Sequence, residues 1–95
     1  MIFEWDEEKN KKNISKHKIS FEKASHVFND DCRLEIIDES HSEYENRYIT
    51  IGLIEEIVSV VTVVYTPRNE VIRIISARKA TNEERRQYYD SKKGY

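Results

Sequence analysis

Ninety-five residues are enough for one domain with one core, and too few for two. Eighteen acidic against sixteen basic residues leave a formal charge of −2, which argues against a protein that coats polyanions with its whole surface. The single cysteine, Cys32, excludes an internal disulfide and fits a reducing compartment. The start, MIFEWDEEKNKK, is acidic and lacks a long apolar stretch. Ile57–Tyr65, the longest apolar-rich run, is too short to cross a membrane and contains Ser59 and Thr62. The expectation is a soluble, cytoplasmic protein with one domain over residues 1–95.

Ile2-Phe3-Glu4-Trp5 reads as a short strand or extended arm, because aromatic and β-branched residues cluster there. Asp6 is an N-cap, and Glu7 and Glu8 suit the positive first turn of a helix to about Lys16. Ile14 is the only large apolar residue of that helix, so its packing is predicted to be weak. Ser20 caps a second helix in which Phe21, Ala24, Val27 and Phe28 recur at helical spacing. Strands are predicted at 34–37, 47–53, 57–66 and 71–77. In the second of these, Arg47, Ile49, Ile51 and Leu53 alternate with Tyr48, Thr50 and Gly52. The turn is predicted over 66–70, since Pro67 cannot donate to a ladder and Asn69 tolerates positive φ. Thr81-x-x-Glu84 is a capping box opening a last helix to about Ser91. The fold class is α+β, in the order β-α-α-β-β-β-β-α. An antiparallel sheet of about four strands is packed by two N-terminal helices and one C-terminal helix.

Charge is unevenly placed. From Pro67 onward there are eight basic and four acidic residues; before it, eight basic and fourteen acidic. Val71–Tyr89 therefore reads as a local anion site on an acidic body. Arg73 and Arg78 offer planar forks suited either to phosphate or to an internal carboxylate, with Glu35, Asp38 and Glu45 as candidate partners for Arg73. Regular alternation sends the two arginines to opposite faces of the strand. If both serve one site, the strand must bend, bulge or end near Ser76. Lys16 and His17 either assist proton transfer or complement the negative end of the first helix. Asp38–Glu43, with His41, has no strict metal-ligand spacing and reads as a solvated loop. His26 reads as a packed or solvent-facing imidazole. On the last helix, Glu84 pairs in spacing with Tyr88 and Arg85 with Tyr89. Its packing must come mostly from tyrosines. Lys79, Arg85, Arg86 and Tyr89 are candidate contacts for a phosphate or a base, since tyrosine stacks on bases and cations pair with phosphate.

These pieces together resemble the BrnT family, toxins of type II toxin–antitoxin pairs with a RelE-like ribonuclease fold. The matching residues are FEWD at 3–6, Asn13, Lys16-His17, SFEKA at 20–24, Val27-Phe28, and D-x-x-HS at 38–42. They continue with Glu45-x-Arg47, Ile51-Gly52, RIISARKAT at 73–81, Glu84-Arg85 and Tyr88. Family members often carry Gly where this chain has Lys18. The resemblance implies RNA cleavage without a metal or other cofactor, with loss of translation. It also implies a ribbon-helix-helix antitoxin (BrnA-like) as partner in a hetero-oligomer. Arg78, Arg73, Arg47, His17, Lys16 and Tyr88 are the candidate catalytic residues, with His41 and Glu84 orienting neighbours. The resemblance makes Lys79, Arg85, Arg86 and Tyr89 candidate RNA contacts. The alternative is a non-catalytic module that binds RNA or antitoxin.

Overall fold

The computed structural model describes residues 1–41 and 45–93. Ser42 and Glu43, part of the acidic run noted above, lie outside the described residues. The strands are β1 (Ile2–Glu4), β2 (Leu34–Ile37), β3 (Tyr48–Ile54), β4 (Ser59–Arg68) and β5 (Val71–Lys79). The helices are α1 (Glu7–His17), α2 (Phe21–Ala24) and α3 (Asn82–Lys93). A 3₁₀ segment, Ser25–Asn29, continues α2. Among the described residues no helix is long and apolar enough to cross a membrane.

The sheet is larger than predicted and mixed rather than antiparallel. Its order is β1-β5-β4-β3-β2, because β1 joins the edge of β5 in parallel, with Phe3 opposite Ile72 and Glu4 opposite Arg73. One face carries Phe3, Ile72, Ile74, Ala77, Val61, Val63, Tyr65, Tyr48 and Ile54 against Phe21, Ala24, Val27 and Phe28. The other packs Ile51 and Val60 beneath Tyr88, flanked by Leu34, Ile49 and Leu53. Gly52 permits the close approach of the 3₁₀ segment: a Cβ there would meet Val27 Cγ2 and Arg33 Cβ at 2.9 Å.

The caps form as predicted. Asp6 accepts from the amides of Glu8 and Lys9, and Ser20 from that of Lys23. Yet α1 does not dock through Ile14, which is exposed. It docks through two buried asparagines. Asn10 Oδ1 accepts from the Phe21 amide at 2.8 Å. Asn13 donates to the carbonyls of Ile19 (2.9 Å) and Ala77 (2.8 Å), and accepts from the Ala77 amide at 3.2 Å. Beyond the three residues that β1 covers, a side-chain amide thus completes the edge of β5. Lys18 takes φ 61°, the left-handed conformation that glycine adopts without cost, and its amide closes α1 onto Ile14.

Both boundaries of β4 differ from expectation. β4 begins at Ser59 because Val58 turns left-handed (φ 50°) after a 3₁₀ turn at Glu55–Ile57. Pro67 is inside β4, not in the turn. The two-residue connection Asn69-Glu70 makes Arg68 and Val71 facing partners, so position 67 looks away from β5, where β3 has already ended. Asn69 supplies the positive φ, at 59°.

Candidate functional site

The β4–β5 ladder is irregular at one place. Val64 faces Ser76 and Tyr65 faces Ile74, leaving Ile75 as an extra residue on β5. This bulge resets the alternation. Arg73 stands opposite Thr66 and Arg78 opposite Thr62, and both threonines point to the α3 side of the sheet. The two arginines therefore share one face, separated by four residues of β4, about 13 Å. α3 packs on β3 at one end of this face and leaves Val64, Arg73, Ser76 and Arg78 half-exposed.

At the end of the face away from α3, the register aligns a row across the sheet. Asp38 bonds through its amide to the Arg47 carbonyl (2.8 Å), and Tyr48 pairs with Tyr65, which places Arg47 beside Thr66. Thr66 faces Arg73, and Arg73 faces Glu4. The row thus reads Asp38, Arg47, Thr66, Arg73, Glu4. Arg73 Nη1 donates to Glu4 Oε2 at 2.6 Å, so its structural partner is Glu4 rather than Glu35, Asp38 or Glu45. Glu45 instead takes both arms of Arg68, at 2.9 and 2.7 Å. Asp38 anchors His41 at the far end: Nδ1 lies 3.2 Å from Oδ2, with the imidazole exposed. The Ser40 hydroxyl, then His41 and Arg47, hold the Asp38 carboxyl below its usual range against the opposing effect of burial.

At the other end, Arg78 meets Glu84 through both arms, Nη1 to Oε1 at 2.7 Å and Nη2 to Oε2 at 3.0 Å. Glu84 also accepts from the Thr81 amide (2.9 Å) and the Thr62 hydroxyl (3.1 Å), while its own amide donates to Thr81 Oγ1. The capping box therefore also anchors an arginine. The Arg78 guanidinium, opposed by burial and assisted by the Thr81 amide, brings the Glu84 carboxyl down to about 2. A carboxyl depressed on folding contributes stability above its unfolded pKa of about 4.3, and that contribution is lost as pH falls through about 2. Urea unfolding between pH 6 and 2 should show Glu84→Gln losing less stability on acidification than the parent.

The remaining candidates are placed as follows. Tyr88 is fully buried, and its hydroxyl donates to Asp30 Oδ2. Its geometry is that of a packing residue rather than a group facing a substrate. Asp30 also accepts from the amides of Leu53 (2.8 Å) and Cys32 (2.9 Å). These bonds hold its carboxyl low although burial alone would raise it. Arg85, Arg86 and Tyr89 are exposed on α3, and Lys79 is exposed at the end of β5. Lys16 and His17 end α1, one turn past the Asn13–Ala77 contact. They lie at the β5 edge on the helical side, apart from the row of Arg47 and Arg73. His26 contacts Glu56 at 3.2 Å.

Sequence reasoning missed Arg68, Thr62 and Asp30. Arg68 alone carried a signal, as a basic residue within the predicted turn. A cleft of about 400 Å³ lies elsewhere, lined in part by Asp30, Asp31, Glu55, Glu56 and Lys92. Its carboxylates disfavour a polyanion. Among the described residues no three His, Cys, Asp or Glu side chains gather as metal ligands.

A family model described as "Ribonuclease toxin, BrnT, of type II toxin-antitoxin system" matches residues 5–84, a span that holds His41, Arg47, Arg68, Arg73, Arg78 and Glu84. A comparison with curated proteins finds no match.

Proposed function

The chain belongs to the BrnT family of ribonuclease toxins of type II toxin–antitoxin systems, and on that premise we propose that it cuts single-stranded RNA across the α3 face of its sheet, without a metal. The observation that carries this reading is the bulge at Ile75, which turns Arg73 and Arg78 to one face together with Arg47. In the proposed reaction the 2′-oxygen attacks the adjacent phosphorus as a base takes its proton. The P–O5′ bond breaks, and the departing 5′-oxygen gains a proton. The products are a 2′,3′-cyclic phosphate and a 5′-hydroxyl. The phosphorane gathers negative charge, which fixed guanidinium donors stabilise more strongly than they stabilise the ground state.

Roles follow from how each arginine is held. Arg73 gives Glu4 one donor, leaving the rest of its fork for a phosphate beside Arg47. Arg78 gives Glu84 two donors and is fixed by a carboxylate that is itself held by two other donors, the Thr81 amide and the Thr62 hydroxyl, so it positions the RNA strand rather than meeting the reacting group. His41, held at Nδ1 by Asp38, presents its other ring nitrogen for proton transfer at the Arg47 end of the row. Lys16 and His17 stand closer to the Arg78 end. Function in the cytoplasm, arrest of translation and neutralisation by a ribbon-helix-helix antitoxin complete the proposal.

One observation favours a second reading, a module that binds RNA without cutting it: Arg68, Arg73 and Arg78 each already hold a glutamate. Incubation of the purified chain with end-labelled RNA in excess chelator separates the readings. Cleavage leaving a cyclic phosphate is expected. RNA that stays intact until magnesium is added overturns the metal-free mechanism, and RNA bound but never cut establishes the second reading.

A further inference from the structure

The exposed pair of Arg68 and Glu45 has an unusual setting. Arg68 is the last residue of β4 and falls on the same face as Thr62 and Thr66. Both arms of its guanidinium are filled by Glu45, although each side chain is close to half exposed. The Glu45 carboxylate feels three arginines: Arg68 most strongly, then Arg73 and Arg47. Glu4 adds a weaker favourable influence on the charged form of Arg68. One carboxylate thus holds Arg68 directly, while the row of Arg47 and Arg73 lies two residues along the same face of the sheet. A carboxylate and a phosphate offer an arginine fork the same two-point geometry.

We infer that Arg68, with Arg73 and Arg47, forms a phosphate site for the RNA backbone, and that Glu45 occupies this site until RNA displaces it. The inference rests on the ribonuclease reading of the same face. An exposed ion pair is held only weakly against water and salt, so exchange of Glu45 for a backbone phosphate meets little resistance. Release of Glu45 also removes a negative charge from the path of a polyanion. The site adds a second anchor about 13 to 20 Å from Arg78 along β4, four to six residues away, so the track spans more than one nucleotide.

The test uses a fluorescent 2′-O-methyl oligoribonucleotide, which cannot be cut because its 2′-oxygen is blocked. Affinity is measured for the full chain and for Glu45→Gln, Arg68→Ala and the double variant, at several salt concentrations. Glu45→Gln is expected to tighten binding about fivefold, the upper end of what releasing an exposed pair can return. Arg68→Ala is expected to weaken binding and lower the salt slope by about one. In the double variant most of the Glu45→Gln gain should vanish. Glu22→Gln, an exposed charge change on the opposite side, controls for net charge and should shift affinity less than about twofold.

If the parent binds the oligonucleotide but Glu45→Gln matches the Glu22→Gln control, the displaced-carboxylate site is wrong and the ribonuclease reading stands. Tightening that persists in full when Arg68 is alanine also overturns it. If the parent binds no RNA and instead takes an acidic peptide at Arg68, the RNA assignment fails together with the function proposed above.

Discussion

Arg73→Ala should lower the RNA cleavage rate by about 10² to 10³, the usual effect of removing one preorganised donor from a developing oxyanion. The loss should fall on the turnover rate more than on KM, because the interaction strengthens as the phosphorane forms. The fold should survive. Arg73 and Glu4 form a partly exposed pair at the β1–β5 edge, and losing it costs about 1 kcal/mol or less. Arg78→Ala should differ in kind. It strips Glu84 of two of its hydrogen bonds and removes a strand-positioning contact, so KM rises while the rate at saturation falls less. Steady-state kinetics on a short RNA, with circular dichroism melts as the folding control, separate the two patterns. Equal kinetics for folded Arg73→Ala and the parent would remove Arg73 from the reaction.

The second large effect concerns stability. Asn13→Ala should destabilise the protein by about 3 kcal/mol, since it strips three hydrogen bonds from a buried edge and leaves the Ala77 amide and carbonyl without them. For a domain of this size that corresponds to a fall in Tm on the order of 15 °C. Asn13→Asp is the sharper variant. It keeps the shape and the acceptor for the Ala77 amide, yet sets a carboxylate against two carbonyl oxygens, so it should be no better than alanine. If thermal melts show either variant within about 1 kcal/mol of the parent, the amide does not hold α1 to β5.

Asn13 also shows where the sequence is readable and where it is not. Caps are local, and Asp6, Ser20 and the Thr81–Glu84 box all formed as their spacing predicts. The alternation of β3 likewise names its two faces correctly. Apolar periodicity, however, overlooks a helix that docks by asparagine, and it points to Ile14, which faces solvent. The parallel partner of β1 is nearly seventy residues away, beyond any local signal. The bulge belongs to a register between two strands. The sequence could state only that the arginines conflict with regular alternation; the extra residue falls at Ile75, just before the stretch from Ser76 that the conflict pointed to.

Site chemistry follows the same division. That at least one tyrosine of α3 would serve packing is legible, because that helix holds no Leu, Ile or Val; Tyr88 is that residue, buried with its hydroxyl on Asp30. Which carboxylate meets which arginine is not legible. Glu4 reaches Arg73 only because β1 joins the sheet, and Glu45 reaches Arg68 across the mouth of the β3–β4 ladder.

The central claim is that one RNA strand engages Arg73 and Arg78 together, on the face to which the Ile75 bulge turns both. The arginine Nε–Hε resonances report this directly during titration with an uncleavable 2′-O-methyl oligoribonucleotide. The account predicts that the Arg73 and Arg78 signals, with that of Arg47, move along a single binding isotherm. A titration in which only one of Arg73 and Arg78 responds contradicts it, and assigns the other to holding the fold.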